Sequence, residues 1–189
     1  MQIQSEPKSV APKKRDIAHI LRLTGRVSFW VELAFAAICV LSLLFAITGR
    51  NFSEETNPAM GIGIFWGVCS LFLVAFNIYL AFRCTRIAKS LLTLSPELRP
   101  SKAETIKLLR LGIIISLVGI LLNLLGGGAT LGVLVAKAVS QPPGIAITDP
   151  NQIIRGLDVF VMVANVNGIA AHFVGNVAAL WLLDKLQEH

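Results

Sequence analysis

The chain has 189 residues, 54% of them hydrophobic and 15% charged, with a net charge of +6 at pH 7. Soluble domains carry about 25% charged residues, and a soluble core does not need the four long apolar runs present here, so the composition excludes an ordinary soluble domain and indicates a polytopic membrane protein. Cys39, Cys69 and Cys84 show no CxxC or His-Cys spacing, which excludes a disulfide framework.

In chain order, residues 1–15 combine Gln, Ser, Glu, Pro and Lys with little apolar content and read as a disordered basic tail. They do not form a secretory signal, and Glu6 and Asp16 do not suit a transit peptide. Residues 16–26 set Ile17, Ile20, Leu21 and Leu23 against Arg22 and Arg26, the pattern of an amphipathic, interfacial lead-in. Residues 16–189 read as a single four-helix transmembrane domain with spans near 27–48, 59–82, 111–136 and 157–183. The fold class is all-α, and each span is long enough for a ~30 Å hydrocarbon core with some tilt. Ser101 and Glu104 form a capping-box pattern after Pro100, so the third helix is expected to begin in water.

Orientation follows from the basic residues. Residues 1–26, the loop expected over 83–110 and Lys185 hold fourteen of the seventeen Lys and Arg, against three in the two other loops. The positive-inside rule then puts both termini in the cytoplasm. The basic excess is topological, which removes nucleic acid as a partner and leaves the lipid bilayer, with a homo-oligomer or other membrane proteins as further partners. A faint echo relates LRLTGRVSFW before the first span to LLRLGIIISL before the third.

The fourth span carries the strongest polar signal. At about 100° per residue, Asp158, Asn165, His172 and Asn176 fall within about 40° of one another. Such a face must look at protein or water rather than lipid. On the first span, Ser28, Glu32, Cys39, Ser42 and Ala46 share a face, and the two faces are expected to meet, with Glu32 near Asn176 and Cys39 near His172. Asn123 completes a midplane layer. These side chains serve either as interhelical hydrogen bonds or as a pathway, and His172 with Glu32 is the candidate metal contact. Helix packing is expected at Gly63, Gly67, Gly119, Gly128, Gly132 and Gly168, through small-x-x-x-small spacing and the small stripe beside it. The Gly126-Gly127-Gly128 run reads as a break in the helix or as a crossing point. No phosphate loop, HExxH zinc motif or G-x-S-x-G elbow is present, and no carboxylate pair is set for acid–base work, so an enzyme is not expected.

LGVLVAKAVSQ at 131–141 followed by LDVFVMVANVNGIAAHF at 157–173 resembles the C-terminal half of a four-span family of cyanobacteria and plastids. Its plant member is known as permease in chloroplasts and as the 21-kDa subunit of the inner-envelope protein translocon. The similarity runs over residues 18–183 and includes LRLTGRVSFWVEL and RPSKAETIKLLRLGIIISLVGILL. Asp158, Phe160, Ala164, Asn167, His172 and Phe173 match the family's last span, whereas Val163 stands where the family has Gln. Asn167 lies about 140° from His172, which implies contacts on two sides of the span. The resemblance implies either iron permeation by an oligomer or a part in protein translocation. It also implies a cyanobacterial plasma or thylakoid membrane, iron as transported ion, and no tightly bound cofactor.

Overall fold

The computed structural model describes residues 12–51, 58–92, 101–140 and 153–188. These form four helices: α1 (Pro12–Asn51), α2 (Pro58–Leu92), α3 (Lys102–Val139) and α4 (Gly156–Gln187). No strand occurs among the described residues. All four helices are long and apolar enough to cross a membrane. Most of the tail expected over 1–15 lies outside the described residues, and the chain is already helical from Pro12.

The helix starts follow local chemistry. Pro12 and Pro58 open α1 and α2, where a missing N–H costs nothing. At α3 the Ser101 hydroxyl accepts from the Glu104 N–H at 3.1 Å, and the Glu104 carboxylate accepts from the Ser101 N–H at 3.0 Å. At α4 the Asp158 carboxylate accepts from the Arg155 N–H at 3.2 Å, placing a negative charge in the first turn.

Consecutive helices pack antiparallel, α4 closes the ring against α1, and α2 meets α4 across the diagonal. Two expectations change. The lead-in at 16–26 is no separate interfacial helix: it is the start of α1, and Ala18, Leu21 and Gly25 are buried. Leu21 packs with Cys84, Ile87, Leu109 and Leu182 into an apolar cluster at the basic end of the bundle. The basic loop expected over 83–110 is mostly helix, because α2 runs on to Leu92 and α3 begins at Lys102. Arg83, Arg86, Lys102, Lys107 and Arg110 are exposed on those extensions.

Buried positions recur every seven residues. Ala18, Gly25, Glu32, Cys39 and Ala46 are buried on α1, and Gly63, Ser70, Asn77 and Cys84 on α2. On α3 the series is Leu109, Ser116, Asn123, Thr130 and Lys137, and on α4 it is Asp158, Asn165, His172, Ala179 and Leu186. A seven-residue repeat keeps one seam facing its partners in a bundle whose helices cross at a shallow angle. Large apolar side chains such as Trp30, Phe65, Phe72, Leu117 and Phe173 point outward, as lipid contact requires. In lipid the seam gains little from apolar burial, so close packing and hydrogen bonds hold it.

Candidate functional site

The centre of the bundle is a hydrogen-bonded polar cluster around His172, which is fully buried. Asn77 Nδ2 on α2 donates to Ser116 Oγ at 2.9 Å and lies 3.1 Å from His172 Nδ1. The amide thus spends one hydrogen on each, and Nδ1 accepts. His172 Nε2 then carries the ring proton and donates to Ser70 Oγ at 3.0 Å. Ser70 also accepts from Asn123 Nδ2 and turns its own hydrogen toward the Gly119 carbonyl at 3.4 Å. Asn123 gives its other hydrogen to the same carbonyl at 2.9 Å. The imidazole is therefore neutral and both of its nitrogens are occupied.

Toward the basic end lies Glu32, also almost completely buried. Ser28 Oγ donates to Glu32 Oε1 at 2.6 Å. Glu32 Oε2 and Asn77 Oδ1 are both buried without a hydrogen-bond partner among the described residues. Both residues line a partly open cavity of about 40 Å³, walled by residues of all four helices. Glu32 lies against Gly175, where an added Cβ would sit 2.8 Å from Oε1.

At the other end Asp158 and Lys137 form a buried ion pair at 3.0 Å. Lys137 Nζ also donates to the Ile153 carbonyl at 3.3 Å. Between this pair and His172, Asn165 Nδ2 donates to the Val161 carbonyl at 2.9 Å and the Gly63 carbonyl at 3.3 Å.

The α1 and α4 faces do meet, but Cys39 is not a partner of His172: its thiol donates to the Ala164 carbonyl at 3.2 Å. Ala164 lies two turns of α4 from His172 and about 80° round the helix. The Ala164–Ala171–Gly175 side of α4 looks at α1, whereas the Asn165–His172 side looks at α2 and α3. Asn167, half-buried, bonds back to the Val163 carbonyl of its own helix at 2.8 Å. Asn176 is half-buried, and its Oδ1 has no partner among the described residues. Among the described residues no three His, Cys, Asp or Glu side chains gather where they could hold a metal ion.

The glycines make room for these polar side chains. A Cβ at Gly119 would run into the His172 ring, and one at Gly168 would sit 2.6 Å from Asn123 Oδ1. Gly63 and Gly126 bring α2 and α3 together, with a Gly126 Cβ only 3.1 Å from the Gly63 carbonyl oxygen. Gly67 faces Leu43 and Asn165. Gly126-Gly127 is thus a crossing point, and the helix runs unbroken through the three glycines. Gly128 and Gly132 are different: both are exposed and would meet nothing within 4 Å, so they pack on no described part of this chain. The sequence reading left Ser70, Asn77, Ser116, Lys137 and Gly175 outside the candidate site. The seven-residue spacing of Ser70 with Asn77 and of Ser116 with Asn123 was the signal available for three of these five residues, since it repeats that of Asn165 with His172.

The sequence matches the family described as "Protein of unknown function (DUF3611)" over residues 11–187. The chain belongs to that family. It is 31% identical over 182 residues to "Protein TIC 21, chloroplastic" of Arabidopsis thaliana, a match covering 94% of this chain and 60% of the relative. The chain thus spans less than two thirds of that relative's length. No solved structure matches. The family accords with the resemblance read from residues 18–183, and with four apolar helices the protein is an integral membrane protein.

Proposed function

We propose that the chain is a membrane transport protein for a small cation, working as an oligomer, with iron the ion that the family resemblance implies. The supporting observation is the buried polar column through the bundle, in which Glu32, Asn77, His172, Ser70 and Asn123 lie on one seam. Polar and ionisable groups at membrane depth are costly and mark ion or proton routes. A single chain offers few ligands for iron, so an iron path takes donors from a second copy. Uptake by proteoliposomes tests this with iron(II), manganese(II) and a proton-sensitive dye inside. The wild type should take up ion, and Glu32→Gln and His172→Ala should lower the rate. No uptake by the wild type contradicts the proposal.

One observation favours a second reading, a subunit or assembly factor of a membrane protein-translocation complex. Gly128 and Gly132 open outward on α3, where a partner helix would approach closely. Crosslinking from Gly128→Cys to a different membrane protein supports this reading, and crosslinking to a second copy supports the first.

A further inference from the structure

We infer that the cavity beside Glu32 is a binding site for one exchangeable small, hard, monovalent cation, either a proton or an ion of sodium's size, held between Glu32 Oε2 and Asn77 Oδ1. The two acceptors line the same cavity, both are buried, and neither has a donor among the described residues. A buried acceptor left unpaired is costly, and an unpaired buried charge more so. A proton on Oε2 or a bound cation removes both deficits at once.

Among the described residues that line the cavity, none supplies a counter-charge. Ser28 comes from α1, Asn77 and Cys84 from α2, Gly112 from α3 and Gly175 from α4, with the remaining lining of the cavity mostly Leu and Ala. None of the lining residues is Lys or Arg. The titratable groups nearest in this arrangement are Cys84, which lines the cavity, and His172, one hydrogen bond beyond Asn77 with its Nδ1 accepting. A single carboxylate balances a single positive charge and would leave a divalent ion half-compensated in a site with no second acid among the lining residues. The cavity volume of about 40 Å³ admits a few water-sized occupants at a floor of about 10–15 Å³ each, enough for a small ion. Ser28 Oγ and Thr24, at the cavity wall, are further oxygen donors for such an ion.

The use of this site in a transport cycle rests on the proposed function. Binding itself is measured on detergent-solubilised full-length protein and needs no flux, so one reading can fail without the other. The probe is a hydrophobic carbodiimide, which modifies protonated carboxyls in apolar surroundings. Adduct at Glu32 is read by mass spectrometry against the exposed Glu104, from about pH 5 to about pH 9, in choline, sodium or potassium chloride. The expected result is labelling at Glu32 that falls as pH rises. Suppression by sodium at fixed pH identifies the ion as sodium-like, and dependence on pH alone identifies it as a proton. A second measurement follows the melting midpoint. Sodium at high pH, or low pH in choline, should raise it by several degrees in the wild type and leave Glu32→Gln unmoved. Labelling that is constant across pH and salt marks a permanently neutral structural carboxyl and overturns the inference. So does a melting response shared by wild type and Glu32→Gln.

Discussion

The bundle buries two carboxylates and treats them oppositely. Asp158 sits in the first turn of α4 with a lysine at 3.0 Å and a backbone N–H at 3.2 Å. Glu32 sits mid-helix with one hydroxyl at 2.6 Å, one oxygen unpartnered among the described residues and a cavity beside it. The first arrangement is closed: charge and hydrogen bonds are met by the chain itself, and it ties the end of α3 to the start of α4. The second is open to a partner that the described residues do not supply. Burial is shared by both, so burial alone does not distinguish a structural carboxylate from one that handles an ion. The counter-charge does.

The largest effect expected is at the closed pair. Lys137→Met leaves Asp158 buried without its cation and should destabilise the protein by about 3–5 kcal/mol, read by unfolding in detergent. Lys137→Met combined with Asp158→Leu should recover most of that loss, since an apolar pair replaces the ionic one. A smaller loss is expected in the polar centre. Gly119→Ala sets a methyl group against the His172 ring, which must turn away from Ser70. The cost should be about 1–3 kcal/mol, with a changed His172 ring signal in NMR. The smallest effect is at the outward glycines. Gly128→Ala meets nothing within 4 Å and should leave the monomer unchanged, or stabilise it by up to about 1 kcal/mol through helix propensity. Any loss of assembly in that variant, with the monomer intact, marks α3 as an interface.

Much of the architecture was legible in the sequence. Four apolar runs gave four helices, and Ser101 with Glu104 formed the capping box that their spacing indicates. The stripe Asp158–Asn165–His172 is buried, as lipid exclusion of polar groups demands. The partners of His172 were not legible. Polarity pointed to α1, where Glu32 and Cys39 lie, but small size decided the packing: Ala164, Ala171 and Gly175 admit α1, and the histidine turns to α2 and α3. Lys137 was missed for a different reason. A lysine at the end of an apolar run reads as a loop charge, yet α3 continues through it to Val139 and carries it inward to Asp158. Glycines and polar residues read as separate signals in the sequence. In the fold they are one device, because Gly119, Gly168 and Gly175 vacate the volume that His172, Asn123 and Glu32 occupy.

The contrast between the carboxylates is tested most directly by neutralising each without changing its shape. Unfolding of Asp158→Asn and Glu32→Gln is compared side by side in sodium-free detergent buffer at high pH. Asp158→Asn should be clearly destabilised, because the buried Lys137 loses its carboxylate counter-charge. Glu32→Gln should be as stable as the wild type or more so, because it removes an uncompensated charge and brings an N–H donor beside Asn77 Oδ1. Equal destabilisation by both substitutions would contradict the account, since Glu32 would then be held as firmly by the chain as Asp158 is.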